Sequence, residues 1–247
     1  MDLAAILQCY KNPLATYKCL ESFRRFYPDS QVVLYSDNGY DYTEMAKHFN
    51  CTYFHESVNL HGASVMVRDG DYFQNVCRLR KMISLVDASY YILLEDDVQM
   101  VSRYTEDFRG DINGNCVNKI RKHTLGRIPF SCVKNEDKSY TGHGGSVYKT
   151  KTMVELLNND KQIKWLIEHW EDIGLGPVID DDIFLSLLVV INGGTIHHLT
   201  QHKDLLTNHV RSTDGIAALH QFKHYYGKAL PDNLKHLVNE EVGSSDR

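Results

Sequence analysis

The chain has 247 residues, 43% of them apolar, and a formal net charge of −5 from 27 basic and 32 acidic side chains. That length carries one large α/β domain or two small ones and supplies enough apolar side chains for a full core. The mild acidity argues against a protein that works on nucleic acid, which needs an excess of Lys and Arg on its binding face. It leaves room for a polyanionic small ligand, because a metal ion neutralises phosphates locally.

The six cysteines stand at 9, 19, 51, 77, 116 and 132, with no C-x-x-C pair. An even count permits a disulfide framework, but a chain this long does not need one. Cys9, Cys19 and Cys77 lie inside apolar-periodic segments, where a reduced thiol behaves as a small hydrophobe. The expectation is a reducing, cytoplasmic setting. Leu3 to Leu7 is too short for the apolar region of a signal peptide, and no run approaches a membrane span.

The first half alternates strand and helix. Leu3 to Cys9 is a short apolar run suited to a strand buried on both faces. Asn12-Pro13 then supplies a cap and a proline at the first helical position, and Leu20, Phe23 and Phe26 continue at helical spacing. Gln31 to Tyr35 reads as a second strand, closed by the turn Asp37-Asn38-Gly39. A weaker helix over Tyr42 to Phe49 precedes a third strand at Cys51 to His55. After an irregular stretch from Asn59 to Asp71, the residues Tyr72, Val76, Leu79, Ile83 and Val86 mark one helical face. That helix feeds the strand Tyr90 to Leu94, which ends on Glu95-Asp96-Asp97. This alternation is the signature of a mainly parallel sheet.

The second half is less regular. Residues 102–140 are polar and read as a long excursion, followed by Tyr140-Thr141-Gly142-His143-Gly144-Gly145. Helical stretches follow near 152–158 and 161–171. Asp180 to Ile191 is a helix with an apolar face of Ile183, Phe184, Leu187, Leu188 and Ile191, ended by Gly193-Gly194. Thr195 to Leu199 reads as a short strand. The domain expectation is one unit over 1–230, with a nucleotide-binding half at 1–100 and an acceptor half at 101–230. A polar tail occupies 231–247.

The central observation is three acids at the end of an interior strand. Burying adjacent carboxylates there without a cation is costly, and the crevice outside the strand C-termini is where open α/β sheets bind ligands. A hard divalent cation bridging carboxylates to a diphosphate accounts for both facts. An acidic turn in solvent is the plainer alternative.

Tyr90 to Val98, with Leu94-Glu95-Asp96-Asp97-Val98 at its end, resembles the "DXD" strand of GT-A glycosyltransferases. The resemblance runs from about residue 3 to 212. Cys9-Tyr10-Lys11-Asn12 and Ser36-Asp37-Asn38 are similar to the strand ends of the nucleotide-binding half of that fold. Thr141 to Gly145 is similar to the glycine-rich segment beside the donor sugar. Asp181-Asp182-Ile183-Phe184-Leu185 resembles the E-D-V-F-L pattern that carries the base of inverting members, and Asn208-His209-Val210-Arg211-Ser212 resembles the late histidine of the metal site.

The resemblance implies an α/β/α sandwich of the GT-A type and a metal-dependent transfer of a sugar from a nucleoside-diphosphate donor. It points to a UDP-sugar, a hydroxyl acceptor on a glycan or glycoprotein, and Mn²⁺ or Mg²⁺ as cofactor. It implies Asp97, Glu95 and His209 as metal ligands, with His202 the next candidate among the late histidines His197, His198, His202 and His209. Glu95 and Asp96 are also assigned to the nucleotide-sugar. Asp37 is the candidate for the base and ribose, Tyr10 for stacking on the base, and Gly144 and Gly145 for close backbone approach to the sugar. Asp182 is the candidate base, with Asp181 second, although acids at a helix start also serve as caps and favour the helix dipole. One of Arg78, Arg80 and Lys81 is a candidate for the diphosphate.

Absent motifs narrow the field. There is no G-x-G-x-x-G, no G-x-x-x-x-G-K-[ST], no H-E-x-x-H and no G-x-S-x-G. The remaining alternatives are a sugar-phosphate nucleotidyltransferase, whose glycine-rich first loop is missing here, and a non-catalytic nucleotide- or glycan-binding module.

Overall fold

Seven strands form one sheet in the order β10-β6-β9-β4-β1-β2-β3 in the computed structural model, which describes residues 2–37, 39–57, 72–116, 118–141, 144–205, 210 and 212–220. In chain order the first half comprises β1 (Leu3–Cys9), α1 (Pro13–Phe26), β2 (Val32–Asp37), α2 (Thr43–His48), β3 (Thr52–Glu56), α3 (Tyr72–Ile83) and β4 (Tyr90–Glu95). Then follow β5 (Gln99–Met100), β6 (Ile112–Gly114), β7 (Asn118–Ile120), α4 (Lys122–Arg127), β8 (Lys138–Tyr140) and β9 (Val147–Lys149). The chain continues with α5 (Thr150–Leu157), α6 (Asp160–Glu168), α7 (Asp181–Ile191), β10 (Ile196–His198), β11 (His202–Asp204) and β12 (Ala218–His220).

β1 pairs in parallel with β2 and with β4, β2 with β3, and β6 with β10. The exception is β9, antiparallel to both β4 and β6. The mainly parallel α/β sheet is therefore as expected, with the strand that ends on Glu95 in its centre.

The strand sequences explain the layering. Successive side chains point to opposite faces, and along β1 and β4 the alternate residues divide between two cores. Ala4, Ile6, Tyr91 and Leu93 join α3, α5, α6 and α7 on one face, whereas Ala5, Leu7, Ile92 and Leu94 join Cys19, Leu20 and Phe23 of α1 on the other. An all-apolar run can satisfy both faces at once, which is why these strands show no polar alternation. Helix α1 starts where its cap and proline require: the Asn12 side chain accepts from the Ala15 N–H, and Pro13 opens the helix. A cap of this kind contributes about 1 kcal/mol.

The region expected to be a polar excursion contains α4 and the two-stranded β7–β8 ribbon, together with β6, which joins the main sheet. A third sheet, in the order β11-β12-β5, packs on the α1 side. Its pairing of β12 with β5 is antiparallel and that of β12 with β11 is parallel. All six cysteines are free thiols. Among the described residues no helix is long and apolar enough to cross a membrane.

Candidate functional site

The turn after β4 carries the last two acids of the triplet. The Val98 N–H bonds back to the Glu95 carbonyl at 3.0 Å, so Asp96 and Asp97 occupy a tight turn. Asp97 is 3% exposed, a buried carboxylate that needs compensation. Asp96 is half-buried. Burial pushes the Cys9 thiol above its ordinary range, and the Asp96 charge adds to that rise.

The compensation for Asp97 comes from far along the chain. β5 follows the turn directly and pairs with β12 in the register Leu219↔Gln99, which carries His220 to the acids. His220 Nε2 stands 3.6 Å from Asp97 Oδ1 and 3.8 Å from Glu95 Oε2. Its Nδ1 is 3.0 Å from Asp204 Oδ2. Burial opposes charge on this ring, but the carboxylates of Asp204, Glu95 and Asp97 outweigh it and hold the imidazolium up to about 10.

One donor atom from each of Glu95, Asp97 and His220 lies within 4.8 Å of the others. Octahedral coordination at about 2.1 Å puts donors roughly 3–4 Å apart, so the spacing suits one ion. Two carboxylates and one imidazole are a donor set for a hard divalent cation such as Mn²⁺ or Mg²⁺.

Glycines permit the approach of the imidazoles. A Cβ on Gly144 would lie 2.5 Å from His220 Cδ2 and 2.6 Å from its Nε2. A Cβ on Gly145, whose φ is +84°, would lie 2.9 Å from His202 Nε2. These two positions, expected to approach a sugar, pack against the rings of two histidines.

His202, the second candidate among the late histidines, is 1% exposed, and its Nδ1 accepts from the Asn115 N–H at 3.1 Å. It lies outside the three-residue cluster. Burial lowers its basicity to about 3, so the ring is neutral. His197 and His198 lie on β10 at the edge of the main sheet, where His198 accepts from the Cys116 N–H. His209, the first expectation, lies outside the described residues, as do Asn38, Gly142, His143 and Arg211. Sequence reasoning missed His220. Its local signal is faint: Ile216-Ala217-Ala218-Leu219 is a short apolar run ending on a histidine.

The acids at the start of α7 divide their labour. Asp180 is the cap, its Oδ1 accepting from the N–H groups of Asp182 at 2.9 Å and Ile183 at 3.2 Å. Asp181 instead accepts from the Tyr72 hydroxyl and from Asn75 Nδ2 at 3.2 and 3.3 Å. Helix α3 returns the chain to the start of β4, so its first residue, Tyr72, sits at the carboxyl edge of the sheet and brings Asp181 there. Asp182 is half-buried. Burial raises the Tyr148 hydroxyl well above its ordinary range, and the charges of Asp182, Glu95 and Asp181 add to it. The charges of both aspartates therefore act on the same hydroxyl as that of Glu95.

At the end of β1, Tyr10 is half-buried and its carbonyl accepts from the Tyr42 hydroxyl at 3.0 Å. Lys11 Nζ stands 5.0 Å from the Tyr10 ring centroid. Asp37 is fully buried and pairs with Arg78 at 2.7 Å. Arg80 pairs with Asp160 and Lys81 with Glu56, so these two serve the outer surface of α3.

No family model matches the sequence, and no curated protein matches it. Solved structures do match the fold. An active-site mutant of LgtC superposes with a TM-score of 0.52 at 14% identity, covering 95% of this chain and 100% of that one. The galactosyltransferase LgtC in complex with donor and acceptor sugar analogues gives 0.52 at 13% identity, with the same coverage. S. aureus TarS gives 0.51 at 10% identity, covering 89% of this chain and 36% of that one. At such identity the likeness defines the fold, and the fold is the GT-A-like α/β sandwich.

Proposed function

We propose that this chain is a metal-dependent glycosyltransferase that moves a sugar from a nucleoside-diphosphate donor, a UDP-sugar, to a hydroxyl of a glycan or glycoprotein. The observation that carries this reading is the cluster of Glu95, Asp97 and His220 at the carboxyl end of the central strand. The fold's neighbours support it, since one is a galactosyltransferase with donor and acceptor analogues.

Glu95, Asp97 and His220 would hold Mn²⁺ or Mg²⁺. The ion supplies Lewis-acid stabilisation of the departing diphosphate. Tyr10, at the end of β1, would flank the nucleoside, whereas Asp37, at the end of β2, fits that role less well because it is buried and paired with Arg78. Asp182 would take the proton of the acceptor hydroxyl as it attacks the anomeric carbon, giving inversion. Asp181 fits that role less well, because its oxygens already receive the Tyr72 and Asn75 donors.

Calorimetric titration with UDP, with and without Mn²⁺, followed by donor-hydrolysis assays, tests the reading. Mn²⁺-dependent UDP binding with turnover supports it. Binding without turnover would make the chain a nucleotide-binding module. No binding at all removes the donor assignment.

A further inference from the structure

We propose that Asp204 is the positioning residue of the metal centre, holding the His220 ring so that Nε2, and not Nδ1, faces Glu95 and Asp97. The inference rests on the metal-binding reading given above.

The backbone brings the two residues together. β11 and β12 are parallel and in register at Asp204↔His220, so their side chains share a face of the small sheet. Asp204 Oδ2 then meets His220 Nδ1 at 3.0 Å. An ionised carboxylate only accepts, so Nδ1 must carry the proton of that bond. In the neutral imidazole the lone pair is thereby assigned to Nε2, the atom 3.6 Å from Asp97 and 3.8 Å from Glu95. Gly144 leaves the ring edge its place, since a Cβ there would overlap both Cδ2 and Nε2.

The same sheet contains a contrasting arrangement. His202 accepts the Asn115 N–H through Nδ1, which puts its proton on Nε2. In their neutral forms the two histidines, on neighbouring strands, are thus held in opposite tautomers by their Nδ1 partners. The one bonded to a carboxylate is the one whose Nε2, beside the acids, offers a lone pair to a cation once that nitrogen gives up its proton. Such carboxylate–histidine pairs orient a ligating ring and raise its basicity, and their loss typically weakens metal binding about 10–100-fold.

The test is Mn²⁺ titration of the full chain without nucleotide, with free Mn²⁺ read by electron paramagnetic resonance. Circular dichroism and the thermal midpoint check the fold of each variant. Asp204→Ala is expected to weaken Mn²⁺ binding about 10–100-fold, and the isosteric Asp204→Asn to weaken it less. In a His220→Ala background Asp204→Ala should cost almost nothing more, because a residue acting through another is not additive with it. Should Asp204→Ala fail to fold, Asp204→Asn carries the same comparison. Unchanged affinity in the Asp204 variants, alongside a loss in His220→Ala, overturns the positioning role alone. An equal Asp204 effect with and without His220 also overturns it. Unchanged affinity in His220→Ala overturns the metal assignment on which it rests.

Discussion

Asp37 and Arg78 form an ion pair of 2.7 Å between side chains that are only 1% and 3% exposed. Arg78 Nη1 also reaches the Tyr35 hydroxyl at 3.3 Å, its guanidinium lies 4.8 Å over the Tyr35 ring, and Nη2 donates to Asn75. Asn75 in turn donates to Asp181. A buried polar chain therefore links the end of β2 to the start of α7 through helix α3. Arg78 spends its charge inside the protein, and its reach to a diphosphate is correspondingly limited.

Removing Arg78 should be expensive. Arg78→Met keeps most of the apolar stem but deprives the buried Asp37 of its cation, and breaking a buried pair from one side costs about 3–5 kcal/mol. Asp37→Asn/Arg78→Met should recover much of that loss. Urea denaturation of the two single variants and the pair measures it. Full additivity of the single effects would mean that the two residues act independently.

Gly144→Ala and Gly145→Ala should separate metal binding from stability. The first puts a methyl group 2.5–2.6 Å from the His220 ring and should drive it off Glu95 and Asp97. Mn²⁺ affinity is expected to fall at least tenfold, on the scale of a disturbed ligand shell. The second forces a side chain into a left-handed backbone, costing roughly 1–2 kcal/mol, and presses on His202 instead. Its effect should be read mainly in the thermal midpoint. The reverse pattern would detach His220 from the metal.

How much of this was legible beforehand follows from sequence distance. The strands β1 to β4 with their helices were readable because each is a local apolar pattern, and the end of β4 marked the acidic turn by itself. His220 was not readable, because it enters through a three-residue strand whose partners, Gln99 and Met100, are more than a hundred residues away. No local period announces such a strand. Likewise the three acids before Ile183 look alike in sequence. The hydrogen bonds divide them, with Asp180 as the cap and Asp181 bonded to Tyr72 and Asn75 of α3.

Acid should destabilise the fold through His202. Its folded-state basicity is lowered to about 3 from the ordinary value of 6.5, so the unfolded chain binds this proton more readily. Stability from this group is complete above 6.5 and is lost as pH falls toward 3. Between pH 7.5 and 5 the loss should be on the order of 1–2 kcal/mol. His220 has the opposite shift, and its contribution declines as pH rises from 6.5 through about 10. Comparing wild type with His202→Gln across pH 5–6.5 isolates the first effect. A constant difference across that window would show that His202 titrates normally.

The sharpest prediction concerns the acceptor side. Asp182→Asn keeps the shape of the helix start, and the cap is untouched because Asp180 provides it. What it removes is a proton acceptor. Mn²⁺ and UDP binding should therefore survive while kcat falls by about 10²–10⁴, the range for a lost general base. Asp181→Asn should behave differently: its partners Tyr72 and Asn75 would face an amide in place of a carboxylate, and the cost should fall mainly on stability, at about 1–3 kcal/mol. Tyr72→Phe should reproduce part of that stability loss without a large change in kcat. The product anomer, read by NMR against the donor, gives an independent check, since a single direct displacement inverts the anomeric carbon. Retention, or full activity in Asp182→Asn, would reduce Asp182 to a helix-start residue and move the search for the reactive group to the Asp181–Tyr72–Asn75 cluster.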